Sequence, residues 1–190
     1  AELAMVAARG IDGRLVCFPL VQSHQERGVC RHTCGPATAL GFDPALATVA
    51  QATLRAVGDS ISMQGVFAIE FFLDGDGRLL ANEMAPRVHN TGHGTLFGDE
   101  PSQFDLHVQA VTGRPLAAPA ASGGITVMRN ILGPWDIAPG TADGPARAAA
   151  SNPYRPAAAW RRWKSWSTGP DTVCQGKGAS GSRGAALATG

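Results

Sequence analysis

Residues 65–84 read GVFAIEFFLDGDGRLLANEM, two apolar runs joined by Asp-Gly-Asp-Gly. This stretch constrains the fold more than any other. Gly65–Leu73 is β-branched and aromatic, Asp74–Gly77 is turn chemistry, and Arg78–Met84 returns as the second strand of a hairpin. Each strand carries one glutamate among apolar neighbours: Glu70 before Phe71 and Phe72, Glu83 after Leu79 and Leu80. A loop at Asp74–Gly77 puts Glu83 opposite Ala68. Glu70 then lies diagonally on the same face, roughly 7–8 Å away. Two carboxylates so placed repel unless a proton or cation intervenes. Mg²⁺ shared with nucleotide phosphates is the natural solution, because it usually takes one or two carboxylates. The spacing alone also fits a solvated face with two surface glutamates. Asp-Gly-Asp-Gly lacks the rest of a calcium-loop pattern and reads as a turn.

The segment that follows is Ala85-Pro-Arg-Val-His-Asn-Thr-Gly-His93. Pro86 and Gly92 impose an irregular backbone. Arg87 offers a planar fork for carboxylate, phosphate or bicarbonate. His89 and His93 can donate, accept or shuttle protons, and Asn90 and Thr91 add hydrogen bonds. A loop this polar, directly after a candidate metal ligand, reads as an anion or substrate pocket.

The remaining pattern predicts an α+β domain over residues 1–134. Leu3–Ala8 and Arg14–Val21 read as a hairpin around Gly10-Ile-Asp-Gly13. Ser23–Pro36 reads as polar and irregular. Asp43-Pro44 opens a helix that runs to Gly58, with Asp43 as N-cap. Ala85–Gly98 reads as loop, Pro101–Thr112 as a second helix and Ile125–Leu132 as a last strand. The expected architecture is a mainly antiparallel sheet with packed helices.

Charge divides the chain. Residues 1–134 carry 9 Lys+Arg and 12 Asp+Glu, with no lysine, whereas residues 135–190 carry 7 and 3. All four tryptophans lie in the second part, within an Ala/Gly/Pro/Ser-rich sequence that predicts a poorly structured tail. Whole-chain net charge is only +1, so no electrostatic case for nucleic acid exists. No apolar run is long enough to span a bilayer, so no membrane partner is expected. No charged and apolar leader is visible, and the expected location is cytoplasmic. The chain opens in a strand-like run without methionine, as expected of a piece of something longer. Four cysteines are too few for a disulfide scaffold. Cys30-Arg-His-Thr-Cys34 lacks a second ligand pair for zinc, so reduced thiols are expected.

The run GVFAIEFFLDGDGRLLANEMAPRVHNTGH, followed by SQFDLHVQAVTGRPL, closely resembles the 5-(carboxyamino)imidazole ribonucleotide synthases, ATP-grasp carboxylases of purine biosynthesis. The resemblance extends through Glu2–Gly13 and Phe18–Leu20 and continues to about Gly133. The glutamate hairpin is shared by the whole ATP-grasp superfamily, whereas APRVHNTGH is far more specific. The related formate-dependent glycinamide ribonucleotide transformylases tend to carry Asp at the position of Asn90 and Met at that of His93. The resemblance implies an ATP-grasp C-terminal lobe that uses ATP and Mg²⁺ to carboxylate 5-aminoimidazole ribonucleotide with bicarbonate. It implies Glu70 and Glu83 as metal ligands, and Glu2, Asn82 and Glu83 at the nucleotide. It places Arg87 and His89 beside bicarbonate, and Asn90, Thr91 and His93 in the substrate pocket. His24 falls one position from a family histidine at the nucleotide. Asn82 stands on the opposite face from Glu83 under strict alternation, so its role requires a bulge or strand end. Family members are commonly homodimers.

The departures are equally specific. The family's N-terminal domain, phosphate-covering glycine loop and ATP lysines have no counterpart here. Thr91 replaces the usual Ser, and Gly94 replaces an aromatic. Past Gly133 the family's substrate-gripping lysine and Arg-Pro-Gly-Arg-Lys run do not occur. These departures leave a non-catalytic remnant that binds Mg-nucleotide weakly as an alternative to a working carboxylase. The abrupt loss of pattern suggests that residues from about 134 onward are an out-of-frame translation. Reading the coding DNA in the other two frames tests this: if neither restores that run, the idea fails.

Overall fold

The computed structural model describes residues 1–97, 101–120 and 123–131. The expectations for residues 135–190 lie outside the described residues. Among the described residues, seven strands and two α-helices follow in the order β1 (Glu2–Arg9), β2 (Leu15–Cys17), β3 (Val21–Glu26), β4 (Val29–Gly35), α1 (Ala45–Ser60), β5 (Gly65–Leu73), β6 (Leu79–Ala85), α2 (Gln103–Val111) and β7 (Thr126–Arg129). The strands form one sheet in the order β6-β5-β1-β3-β4-β7, with β2 also on β1. Every pairing is antiparallel. The expected α+β class and antiparallel sheet therefore hold.

β1 is the centre of this arrangement. Its residues from Leu3 to Ala8 are all buried. A strand buried on both faces needs a continuous apolar run instead of alternation. Leu3, Met5 and Ala7 pack against Leu46, Ala50 and Leu54 of α1. Val6 and Ala8 pack on the other face against Leu106 and Ala110 of α2. The two helices thus cover opposite faces. α1 begins at Ala45, whose N–H donates to Asp43 Oδ1 at 2.8 Å. α2 opens with a capping box: Ser102 accepts from the Asp105 N–H, and the Asp105 carboxylate accepts from the Ser102 N–H.

Two sequence expectations require correction. The predicted return strand Arg14–Val21 is broken. Leu15–Cys17 pairs with Ala7–Arg9, and β3 then pairs with Glu2–Ala4. Pro19 lies at the break, where its missing N–H could not serve a ladder. Ser23–Pro36 is not irregular but contains the β3–β4 hairpin. Its turn residues, Arg27 and Gly28, both have positive φ (53° and 75°), the two-residue geometry that matches strand twist. The polar composition of these strands had masked them. Cys17 and Cys30 are free thiols. No helix among the described residues is long and apolar enough to cross a membrane.

Candidate active site

The β5–β6 hairpin carries the first half of the site. Its connection spans Asp74–Arg78, with Leu73 opposite Leu79, one residue longer than the spacing predicts. Asp74 Oδ1 accepts from the N–H of Asp76 and of Arg78, at 2.9 and 2.8 Å, which closes the wider turn. The ladder then shifts. Phe71 faces Ala81, but Glu70 faces Glu83, so Asn82 is an inserted bulge residue. Glu83 therefore stands directly across from Glu70, not opposite Ala68. Directly opposed Cβ atoms lie roughly 4.5–5.5 Å apart. The shift also delivers Met84 opposite Ile69, where it packs on the α1 side of the core. Burial of Met84 and the pairing of the two glutamates are satisfied by the same bulge. Asn82 is released from alternation, as its expected role required.

Residues 85–98 are not all loop: Asn90–Phe97 forms a 3₁₀ helix. His89, just before it, is buried. Its Nε2 lies 3.7 Å from Glu70 Oε1. Its Nδ1 faces the Thr91 hydroxyl at 2.9 Å and the Thr91 N–H at 3.4 Å. With donors converging on Nδ1, the neutral ring carries its proton on Nε2, toward the carboxylate. Burial, and next the Arg87 guanidinium, lower the His89 pKa, which keeps the ring neutral. Burial also raises the pKa of Glu70, as do the carboxylates of Glu83 and Glu2. Candidate ligand atoms of Glu70, Glu83 and His89 all lie within 4.8 Å of one another. This donor set fits a hard divalent cation such as Mg²⁺: two carboxylates supply the oxygens, and a protonated Nε2 remains a hydrogen-bond donor.

The other predicted residues divide by face. Glu2 pairs with Phe72 and Ala4 with Glu70, so Glu2 shares the glutamate face. Ser23, opposite Glu2, shares it too, and its buried Oγ has no hydrogen-bond partner among the described residues. His24 is exposed on the opposite face, stacked on His32 with ring centroids 4.9 Å apart. The structure therefore does not bring His24 to the glutamates. Arg87 is exposed, with Nη1 donating to the Val88 carbonyl at 3.0 Å. Asn90 Oδ1 accepts from His93 Nδ1 at 3.0 Å, and His93 stacks on Phe104. Thr91 is buried and engaged with His89.

Sequence reasoning missed four residues, in three groups. Phe72 and Leu80 pair across the hairpin on the glutamate face, yet are 43% and 49% exposed. Large apolar side chains open beside charged groups suit the flat face of a nucleobase. Cys30 also senses this site. Burial pushes its thiol up to about 11, with Glu70 and Glu2 adding to the rise. Third, Gln103 is fully buried and bonds the His89 main chain. Its signal was legible: a glutamine standing at a helical interval from Leu106 and Ala110, on the buried stripe of α2.

The family model of the ATP-grasp domain matches residues 1–104. N5-carboxyaminoimidazole ribonucleotide synthase of Mycobacterium tuberculosis is 42% identical over 132 residues, covering 70% of this chain and 30% of that protein. The crystal structure of N5-carboxyaminoimidazole ribonucleotide synthetase from Thermus thermophilus is similar with a TM-score of 0.62 and 39% identity, over 72% of this chain and 38% of that one. The synthase from Aspergillus clavatus, solved with ADP and 5-aminoimidazole ribonucleotide, has a TM-score of 0.64 and 31% identity, over 70% and 35%. The chain spans about a third of the length of these relatives.

Proposed function

The chain belongs to the ATP-grasp family, and on that premise we propose that it is the metal- and bicarbonate-handling part of an ATP-dependent carboxylase acting on 5-aminoimidazole ribonucleotide. The observation that carries this reading is the facing pair Glu70 and Glu83, with the His89 Nε2 turned toward Glu70. In the proposed reaction a bicarbonate oxygen attacks the γ-phosphorus of ATP and ADP leaves. The exocyclic amine of the ribonucleotide then attacks the carboxyl carbon, losing a proton as phosphate departs.

Each residue has a definite part in this scheme. Glu70 and Glu83 would hold Mg²⁺, which supplies charge neutralisation to the phosphate oxygens when bound. Glu2, on the same face, is placed to accept from ribose hydroxyls. Asn82, freed by the bulge, would assist at the nucleotide. Phe72 and Leu80 give the base an apolar floor. His89 offers a neutral Nε2–H to the bicarbonate oxygens, and Arg87 supplies the full positive charge that this anion needs. Asn90 and His93, bonded to each other, form a polar rim for the ribonucleotide. Residues 1–134 offer no lysine to the phosphates.

Binding and turnover test separate parts of the proposal. Calorimetry should detect ADP binding that requires Mg²⁺ and is lost in Glu83→Ala. ATP turnover should depend on both bicarbonate and 5-aminoimidazole ribonucleotide. Binding without turnover would mean that this chain is a nucleotide-binding remnant. Turnover with formate in place of bicarbonate would move it to the transformylase branch.

A further inference from the structure

His89 owes its orientation to a residue on another element. Gln103, the first residue of α2, is fully buried. Its Oε1 accepts from the His89 N–H at 2.9 Å, and its Nε2 donates to the His89 carbonyl at 2.8 Å. A side-chain amide bonded to both the N–H and the C=O of one residue acts as a neighbouring strand would, in a place where no strand pairs. Gln103 is itself held: its N–H donates to Thr95 Oγ1 at 3.0 Å, and Thr95 donates to the Gly92 carbonyl at 2.7 Å. The capping box at Ser102 and Asp105 secures the helix end from which Gln103 projects. Gly92 leaves the room this requires, since a Cβ there would meet Gln103 Oε1 at 2.6 Å.

We propose that Gln103 is a positioning residue which grips the main chain of His89 from the start of α2 and so aims the imidazole Nε2 at Glu70. The proposal rests on the carboxylase reading only for the purpose of that aim; the grip itself is independent of it. The buried His89 N–H is satisfied by this side chain, which shares the His89 carbonyl with the Gly92 N–H at 3.0 Å. Glutamate is the informative replacement. Protonated, its O–H can donate to the His89 carbonyl while its C=O accepts the N–H. Ionised, it can only accept.

The test is NMR of the imidazole nitrogens in the full chain, labelled with ¹⁵N. His89 in the wild type should show one tautomer, with Nε2 protonated. Added Mn²⁺ should broaden Nε2 more than Nδ1, and leave His24 on the opposite face sharp. Gln103→Leu should average the two tautomers and abolish the difference in broadening. Gln103→Glu should behave as wild type at a pH where the new side chain is protonated and as Gln103→Leu when it ionises, which keeps the test open if the leucine variant does not fold. An unchanged His89 pattern in both variants overturns the positioning role. If Mn²⁺ broadens nothing in the wild type, the metal reading fails, while the tautomer pattern still decides the role of Gln103.

Discussion

At the scale of the residue, the site depends on carboxylates kept in an unfavourable place. Glu70 is partly buried and faces Glu83, and both burial and that neighbour raise its pKa. A divalent cation relieves the repulsion, so nucleotide binding and the metal should be lost together. Glu70→Gln or Glu83→Ala is expected to weaken Mg-ADP binding by at least about tenfold, or roughly 1.4 kcal/mol, as measured by calorimetry at fixed Mg²⁺. Cys30 is an internal reporter of the same charges. Its thiol, raised to about 11, reacts through the thiolate. Glu70→Gln removes one cause of the rise, so alkylation of Cys30 by iodoacetamide at pH 8 should accelerate. Cys17, raised by burial and lowered by Arg55, should keep its rate. An unchanged Cys30 rate would show that Glu70 does not act on this thiol.

At the scale of the element, two local devices place these residues. The Asn82 bulge resolves a conflict between core and site. In an unbroken ladder running back from Leu73 and Leu79, Asn82 would face Glu70, and Glu83 would turn toward the α1 side. The bulge returns Met84 to the core and Glu83 to its partner. The second device is the capping box of α2. Ser102→Ala should cost about 1 kcal/mol in urea unfolding and should disturb His89 as well, because Gln103 is the next residue. The Asp105 pKa is depressed by the Ser102 hydroxyl and N–H. A depressed carboxylate contributes stability above its unfolded pKa, about 3.9, and loses it as pH falls through the lower folded value. Asp105→Asn should therefore flatten the acid limb of the stability curve, with little change in its shape above about pH 5.

At the scale of the whole molecule, the sheet carries a helix on each face, and the glutamate face remains partly open at Phe72 and Leu80. Ligand binding to that face should stabilise the fold by mass action. Mg-ADP at about a hundred times its Kd adds roughly 2.7 kcal/mol, which should raise Tm on the order of 5–10 °C for a domain of this size. Glu83→Ala should abolish that rise and leave the Tm without ligand unchanged or slightly raised, since Glu83 is exposed and its loss relieves the repulsion on Glu70. A rise that persists in Glu83→Ala would place the nucleotide elsewhere. Much of this organisation was legible in advance. The buried run of β1, the period of α1 and the hairpin turn are local patterns that few alternative structures can satisfy. The carboxylates, Arg87 and His89 stood out because charged and polar groups beside strongly apolar strands need a partner. The β3–β4 hairpin was hidden because its strands are largely polar, which removes the alternation that identifies a strand.

The sequence by itself determined most of the element types, the α+β class and the set of side chains able to handle a metal and an anion. These follow from chain stiffness, turn chemistry and periodicity, all of which act over a few residues. Only the tertiary structure decided which side chains meet. Glu83 faces Glu70 because a bulge reconciles the hairpin turn with burial of Met84. His24 is turned away because alternation along β3 is counted from its pairing with β1. His89 is aimed by Gln103, fourteen residues further on. Register, face and long-range hydrogen bonds are settled by which arrangement buries the apolar core and leaves the fewest buried polar groups unpaired, and that competition involves the whole sheet at once.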